Sequence, residues 1–281
     1  MINFRHPAVA GLFYPEDPRE LDDTIRHLLD EASPRQTTAR QPAGNTPKAL
    51  IVPHAGYIYS GAVAASAYAR LKSVASHVRR VVLLGPCHRV PLRGLAVSSA
   101  DAFETPLGAV PVDKEAIAEV LTLAQVKVFN PTHADEHSLE VHLPFLQHIL
   151  GDFTLVPIVA GEASAEDVAE VLERLWGGPE TLIVISSDLS HYLDDETARQ
   201  IDARTCRAIE SLDPGTIGFD QACGRVPVSG LLTVARRRGL DVTTLDLRNS
   251  GDTAGDRRRV VGYGAWMFTE PAARGPARLH V

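Results

Sequence analysis

Three short, wholly apolar runs constrain this chain most, because each stops at residues able to bind a metal or move a proton. Ala49-Leu50-Ile51-Val52 leads into Pro53-His54-Ala55-Gly56-Tyr57. Val81-Val82-Leu83-Leu84 leads into Gly85-Pro86-Cys87-His88, and Leu182-Ile183-Val184-Ile185 into Ser186-Ser187-Asp188-Leu189-Ser190-His191. Continuous apolar runs of this length read as strands buried on both faces of a parallel sheet. The segments that follow such strands share one edge of the sheet, where ligands bind. Three segments remote in sequence can therefore converge on one site.

The rest of the chain alternates in the same way. An apolar arm over 7–15 precedes a helix start at Asp17-Pro18-Arg19-Glu20, with Asp17 as cap and Pro18 at the first helical position. That helix runs to about Ala32, with Leu21, Ile25, Leu28 and Leu29 on one face. Strands are expected over 48–53, 79–85, 94–98, 153–159, 181–186, 241–247 and 259–268. Helices are expected over 61–71, 113–123, 138–150, 165–176, 194–211, 216–222 and 228–238, with Pro144 kinking or dividing the third of these. The order implies an α/β fold: one domain over 1–270, its central sheet largely parallel or mixed and flanked by helices. The last two strands lie close in sequence, so antiparallel pairing is expected there. The segment 33–47 reads as an exposed loop, and 271–281 as a disordered tail.

Composition excludes several classes. The chain has 281 residues, 44% hydrophobic and 22% charged, ordinary for a globular protein. A net charge of −7 argues against a nucleic-acid surface. No apolar run approaches the roughly 18 residues of a membrane-spanning helix, and the first residues lack the layout of a signal peptide. Three cysteines, Cys87, Cys206 and Cys223, give no disulfide framework and fit a reducing compartment. A cytoplasmic protein is expected.

His54 and His88 alone could each be strand-capping residues. As a pair at the ends of successive strands they suggest a metal, since imidazole suits iron, copper and zinc. Asp188 and His191 are three apart and share a face if a helical turn follows their strand, placing a carboxylate beside a proton-shuttling imidazole. Cys223 is by default a buried structural cysteine. As a thiolate it needs a positive neighbour, and Arg225 or a metal can supply that. Cys87, adjacent to His88, points elsewhere and is assigned to the surroundings of the site; Cys206 is packing. In 133–142 the spacing of a helical zinc-protease motif is absent. His137 and His142 lie about 140° apart on a helix, so they do not chelate one ion. Acidic residues opening a helix are the plainer reading, with Glu136, His137 or His142 lining the cleft.

Val52-Pro53-His54-Ala55-Gly56-Tyr57, Gly85-Pro86-Cys87-His88, Asp135-Glu136-His137-Ser138 with Glu140, His142-Leu143-Pro144, Ser186-Ser187-Asp188 with His191, and Cys223-Gly224-Arg225 together resemble the Memo family. The likeness runs from the Ala10-Gly11 arm to the last strand. That family is similar to the catalytic subunit of class III extradiol ring-cleavage dioxygenases, which hold iron on two histidines and a carboxylate. The resemblance implies His54, His88 and Cys223 as metal ligands, Cys223 replacing the carboxylate. It places His191 as the acid–base group with Asp188 beside it, and Phe13 as an aromatic edging the pocket. Cys87 stands where a serine is expected. Iron(II) or copper is the implied cofactor, and zinc is also compatible. Implied partners are a small-molecule or peptide ligand, a radical-SAM protein and an associated small protein, with no nucleic acid or membrane.

Two functions follow from these residues. One is a metal-dependent oxidoreductase, dioxygenase-like, of unnamed substrate. The other is a non-catalytic module that keeps the cleft to bind a peptide or partner. A thiolate is softer than a carboxylate and changes the redox behaviour of iron, so ring cleavage does not follow automatically. A metal-free cysteine hydrolase using Cys223 and His191 ranks below both.

Overall fold

The computed structural model describes residues 2–32 and 46–271. Most of the expected loop over 33–47 and nearly all of the tail over 271–281 lie outside the described residues. In chain order the strands are β1 (Phe4–Arg5), β2 (Pro47–Val52), β3 (Arg80–Pro86), β4 (Leu95–Val97), β5 (Ala102–Thr105), β6 (Gly108–Pro111), β7 (Val126–Val128), β8 (Thr154–Ala160), β9 (Thr181–Ser186), β10 (His191–Leu193), β11 (Asp241–Asn249) and β12 (Val260–Thr269). The helices are α1 (Pro18–Ala32), α2 (Tyr57–Tyr68), α3 (Lys114–Val120), α4 (Pro131–Ala134), α5 (Leu143–Leu150), α6 (Ala165–Arg174), α7 (Asp195–Glu210) and α8 (Arg225–Arg238).

The main sheet runs β10-β12-β2-β9-β3-β8-β4-β7, with β11 beside β12. Its centre is the parallel set β2, β9, β3 and β8. β4 runs antiparallel to β8, and β12 antiparallel to β2, β10 and β11. The architecture is thus α/β with a mixed sheet. The apolar runs become its middle: Ile51, Val82, Leu83, Val184 and Ile185 are fully buried. Four parallel strands end at one edge, and the segments after three of them, β2, β3 and β9, are the loops singled out from sequence.

Asp17 accepts from the N–H groups of Arg19 and Glu20 at 2.9 and 3.0 Å, capping α1 as its sequence predicts, and Leu21, Ile25 and Leu29 are buried. Pro144 divides one expected helix, as its sequence allowed, and two other expectations fail locally. The single helix over 138–150 is divided into a 3-10 turn at Glu140–His142 and α5, because Pro144 sits in the first turn of a new helix, where its missing N–H costs nothing. The helix over 216–222 is absent; a 3-10 turn at Pro214–Thr216 gives way to turns. No helical turn follows β9 to bring Asp188 and His191 onto one face. Leu189 N–H donates to Gly262 O and Gly262 N–H to Ser190 O, both at 2.8 Å, drawing the segment onto β12 as strand β10.

The arm before α1 is fastened by one buried carboxylate. Glu140, fully buried, is ion-paired with Arg5 and accepts from the N–H groups of Ala8 and Val9 at 2.8 and 3.0 Å and from Tyr14 Oη at 2.6 Å. Phe13 O accepts from Tyr57 N–H at 2.7 Å. The arm therefore lies across the start of α2, at the edge where the site forms.

Candidate metal centre

His54 stands two residues beyond β2, its backbone N–H held by Asp188 Oδ1 at 2.7 Å. His88 stands two residues beyond β3, its backbone N–H held by Glu136 Oε2 at 2.6 Å. Cys223 directly precedes Gly224, the residue before α8. A Cβ at Gly224 would meet Ser186 O at 2.4 Å and Ser187 Cβ at 2.6 Å, so only glycine lets the chain settle this closely on the end of β9. The Gly224 N–H donates to Ser187 Oγ at 3.0 Å. By contrast, Gly56 has φ −56° and space for a side chain, so its backbone does not require glycine.

The structure brings His54, His88 and Cys223 together: one donor atom from each lies within 4.8 Å of the others. His54 Nε2 is 3.4 Å from Cys223 Sγ. Tetrahedral zinc with bonds of about 2.05 Å to nitrogen and 2.3 Å to sulfur would separate those donors by about 3.5 Å. The spacing therefore suits an ion of that size.

Hydrogen-bond accounting fixes which nitrogens face that space. Ser186 Oγ is 2.6 Å from Ser138 O, a pure acceptor, so its one proton goes there. It must then accept from His54 Nδ1 at 2.6 Å and from His142 Nε2 at 2.9 Å. Tyr68 Oη completes the chain by donating to His142 Nδ1 at 2.9 Å. His54 is thus held as the Nδ1–H tautomer, leaving an Nε2 lone pair toward Cys223. Glu136 Oε1 does the same for His88, taking its Nδ1–H at 2.9 Å. Such partners orient metal-binding imidazoles and raise their basicity. His191 Nδ1 donates to Leu189 O at 2.8 Å, freeing its Nε2 as well.

The electrostatics favour a cation. Burial, then the surrounding imidazoles of His88, His137, His142 and His191, hold His54 well below the usual histidine range, so it stays neutral. Burial likewise lowers His142 to about 3 and His137 to about 4. Burial works to raise Glu136, but hydrogen bonds from His88 and Ser138 outweigh it and bring the carboxyl down to about 2. Burial, then the Asp188 charge, push the Cys223 thiol far up. Burial lifts Asp188 to about 7 against the N–H groups of His54 and Ala55. Without an ion, this is a protonated thiol beside the neutral imidazole of His54.

Other expected residues take different places. Asp188 does not pair with His191; it organises the His54 loop, and its carbonyl faces Cys223 Sγ at 3.7 Å. His191 opens β10 at a bulge against β12. The next residue, Tyr192, has φ +59°, a conformation rare for bulky residues and a mark of local strain. Asp202 of α7 anchors this strand through Ser190 N–H at 3.0 Å. Phe13 packs on His137, ring centroids 4.8 Å apart, and His137 stacks on His88 at 4.9 Å. Cys87 turns away and donates to Val90 O at 2.9 Å. Arg225 lies over the Phe219 ring at 5.0 Å and does not lower the thiol. Sequence reasoning missed Ser186 and Tyr68 as parts of the site. A serine at the last position of a buried apolar strand was the available signal.

A groove of about 850 Å³ reaches Cys223, lined by Cys87, Arg93, Lys127, Phe219 and Arg225 among others. Among the described residues no helix is long and apolar enough to cross a membrane.

The sequence pattern of the family described as Memo-like protein matches residues 5–267. The chain is 38% identical over 278 residues to a MEMO1 family protein of Aquifex aeolicus, a match covering 95% of this chain and 100% of that one. It is 38% identical over 276 residues to a MEMO1 family protein of Thermotoga maritima (92% and 97% covered) and 37% identical over 274 to one of Methanosarcina barkeri (93% and 98%). Among solved structures, that of protein JW3007 from Escherichia coli K12 superposes with a TM-score of 0.50 at 13% identity, over 78% of this chain and 98% of that one, a likeness of fold alone. The chain belongs to the Memo-like family.

Proposed function

We propose that this protein is a metal-dependent redox protein of the dioxygenase-like kind, holding iron(II) or copper on His54, His88 and Cys223. One observation carries the reading: two imidazoles locked with their Nε2 lone pairs free, beside a half-buried thiol, at spacings one ion can bridge. When bound, such a metal supplies a redox-active centre with open positions for a chelating small molecule. The residues do the rest. Cys223 gives up its proton on binding and its sulfur favours the softer ions. Ser186 and Glu136 keep the two imidazoles aimed. His191, neutral and with Nε2 free, takes or returns a proton on the substrate. Asp188 holds the His54 loop in register.

The groove beside Cys223 is of a size that accepts a small molecule. Protein purified without oxygen should carry close to one equivalent of iron or copper by elemental analysis. Undiminished metal in the double variant His54→Ala/His88→Ala would reject these ligands.

A second reading is a binding module without turnover. It is favoured by Phe219, 83% exposed at the groove and capped by Arg225, an arrangement suited to a peptide side chain. Calorimetric titration of metal-loaded and apo protein with aromatic peptides separates the two. Peptide affinity independent of metal would favour the module.

A further inference from the structure

His88 also belongs to a second donor set. His88, Glu136 and His137 each place a ligand atom within 4.8 Å of the other two. Glu136 Oε1 is 2.9 Å from His88 Nδ1 and 3.6 Å from His137 Nδ1. Bonds of 2.0–2.1 Å in a tetrahedral arrangement separate such donors by about 3.4 Å, a value these two spacings bracket. The His88 and His137 rings are stacked, inclined by 14°, and the Nδ1 atom of each lies within 3.6 Å of the same Glu136 oxygen. The independent sign is His137 Nδ1. It is buried yet makes no hydrogen bond among the described residues, because Glu136 is just too far to accept from it. A buried polar atom without a partner in a native fold calls for an explanation, and a cation between His137 and Glu136 supplies one. Asp135, though neighbouring in sequence, is not in the set.

We propose that His88 Nδ1, His137 Nδ1 and Glu136 form a second cation site, with His88 bridging it to the site at Cys223. An ion entering there replaces the proton that His88 Nδ1 donates to Glu136, and that proton leaves to solvent. With both sites filled, one imidazolate ring holds an ion on each nitrogen. The donors are two nitrogens and an oxygen with no sulfur, which suits zinc, iron(II) or manganese better than copper(I). The proposal shares His88 with the function proposed above but does not need Cys223.

Cobalt(II) separates the two sites, because only the one at Cys223 can give a sulfur-to-cobalt charge-transfer band. Apo full-length protein titrated with cobalt(II) should bind two equivalents, one with the band and one without. His137→Gln should keep the banded equivalent and lose the other, with circular dichroism confirming the fold. Cys223→Ser should do the reverse. One equivalent in the wild type, unaffected by His137→Gln and lost in Cys223→Ser, overturns this inference and leaves the proposed function standing. One equivalent kept in Cys223→Ser and lost in His137→Gln does the opposite. Two equivalents that both survive His137→Gln also overturn it.

Discussion

Replacing Ser186 by alanine removes one hydroxyl and leaves three buried groups without their partner: His54 Nδ1–H, His142 Nε2–H and the Ser138 carbonyl. Each unsatisfied buried group costs about 1–3 kcal/mol. Even the low end for all three gives about 3 kcal/mol of lost stability, a large effect for a change of one oxygen at a fully buried position. The same deletion frees His54 to rotate or exchange tautomers. Loss of the partner that orients a metal-binding imidazole weakens affinity about 10–100-fold. Urea denaturation of the apo protein measures the first effect, and cobalt(II) competition titration the second. The ring-nitrogen shifts of ¹⁵N-labelled histidine report the His54 tautomer directly. A Ser186→Ala protein within about 0.5 kcal/mol of wild type, with affinity unchanged within twofold, would refute the tautomer argument; that margin is what a surface substitution produces.

Four further outcomes are expected. Glu136→Gln keeps an acceptor for His88 Nδ1 but loses the charge, so metal affinity should fall about tenfold, and Glu136→Ala should lower it further; competition titration orders the three proteins. Metal binding between pH 7.5 and 9, above the Asp188 range, should release one proton from Cys223 and strengthen about tenfold per pH unit. Calorimetry in buffers of different ionisation enthalpy should show that proton vanish in Cys223→Ser. His54, His133, His137 and His142 are all lowered, chiefly by burial, with His133 and His137 at about 4 and His142 at about 3. The native state then binds fewer protons than the unfolded chain, so apo stability is full above about pH 6.5 and falls as the pH drops toward 4. The raised Asp188 offsets part of this slope, and His142→Phe should flatten it in denaturation at a series of pH values. Glu140→Ala should cost about 3–5 kcal/mol, because it strands the buried Arg5, and should loosen the arm; faster proteolysis before Asp17 is the readout.

The sheet was legible because strands buried on both faces are continuous apolar runs, and the three that end in His54, His88 and Asp188 are the purest in the chain. Their convergence followed from parallel pairing alone. Cys223 was harder to place, since its approach depends on Gly224 fitting against Ser186 and Ser187. The Asp188–His191 turn was misjudged because two backbone bonds to Gly262, more than 70 residues away, outweigh local helical preference. Arg225 was one of two candidates, with a metal, for the positive neighbour of the thiol, but its guanidinium finds the Phe219 ring. The Tyr68–His142–Ser186–His54 chain joins positions separated by 74, 44 and 132 residues. Nothing in the local sequence announces it, because its members meet only after the core has closed.

The most direct measurement is X-ray absorption at the metal edge of protein purified without oxygen. The account predicts a site with one sulfur near 2.3 Å and two imidazole nitrogens near 2.0–2.1 Å, the sulfur shell disappearing in Cys223→Ser. A metal surrounded by oxygen and nitrogen alone, or one whose sulfur shell survives that substitution, would contradict it.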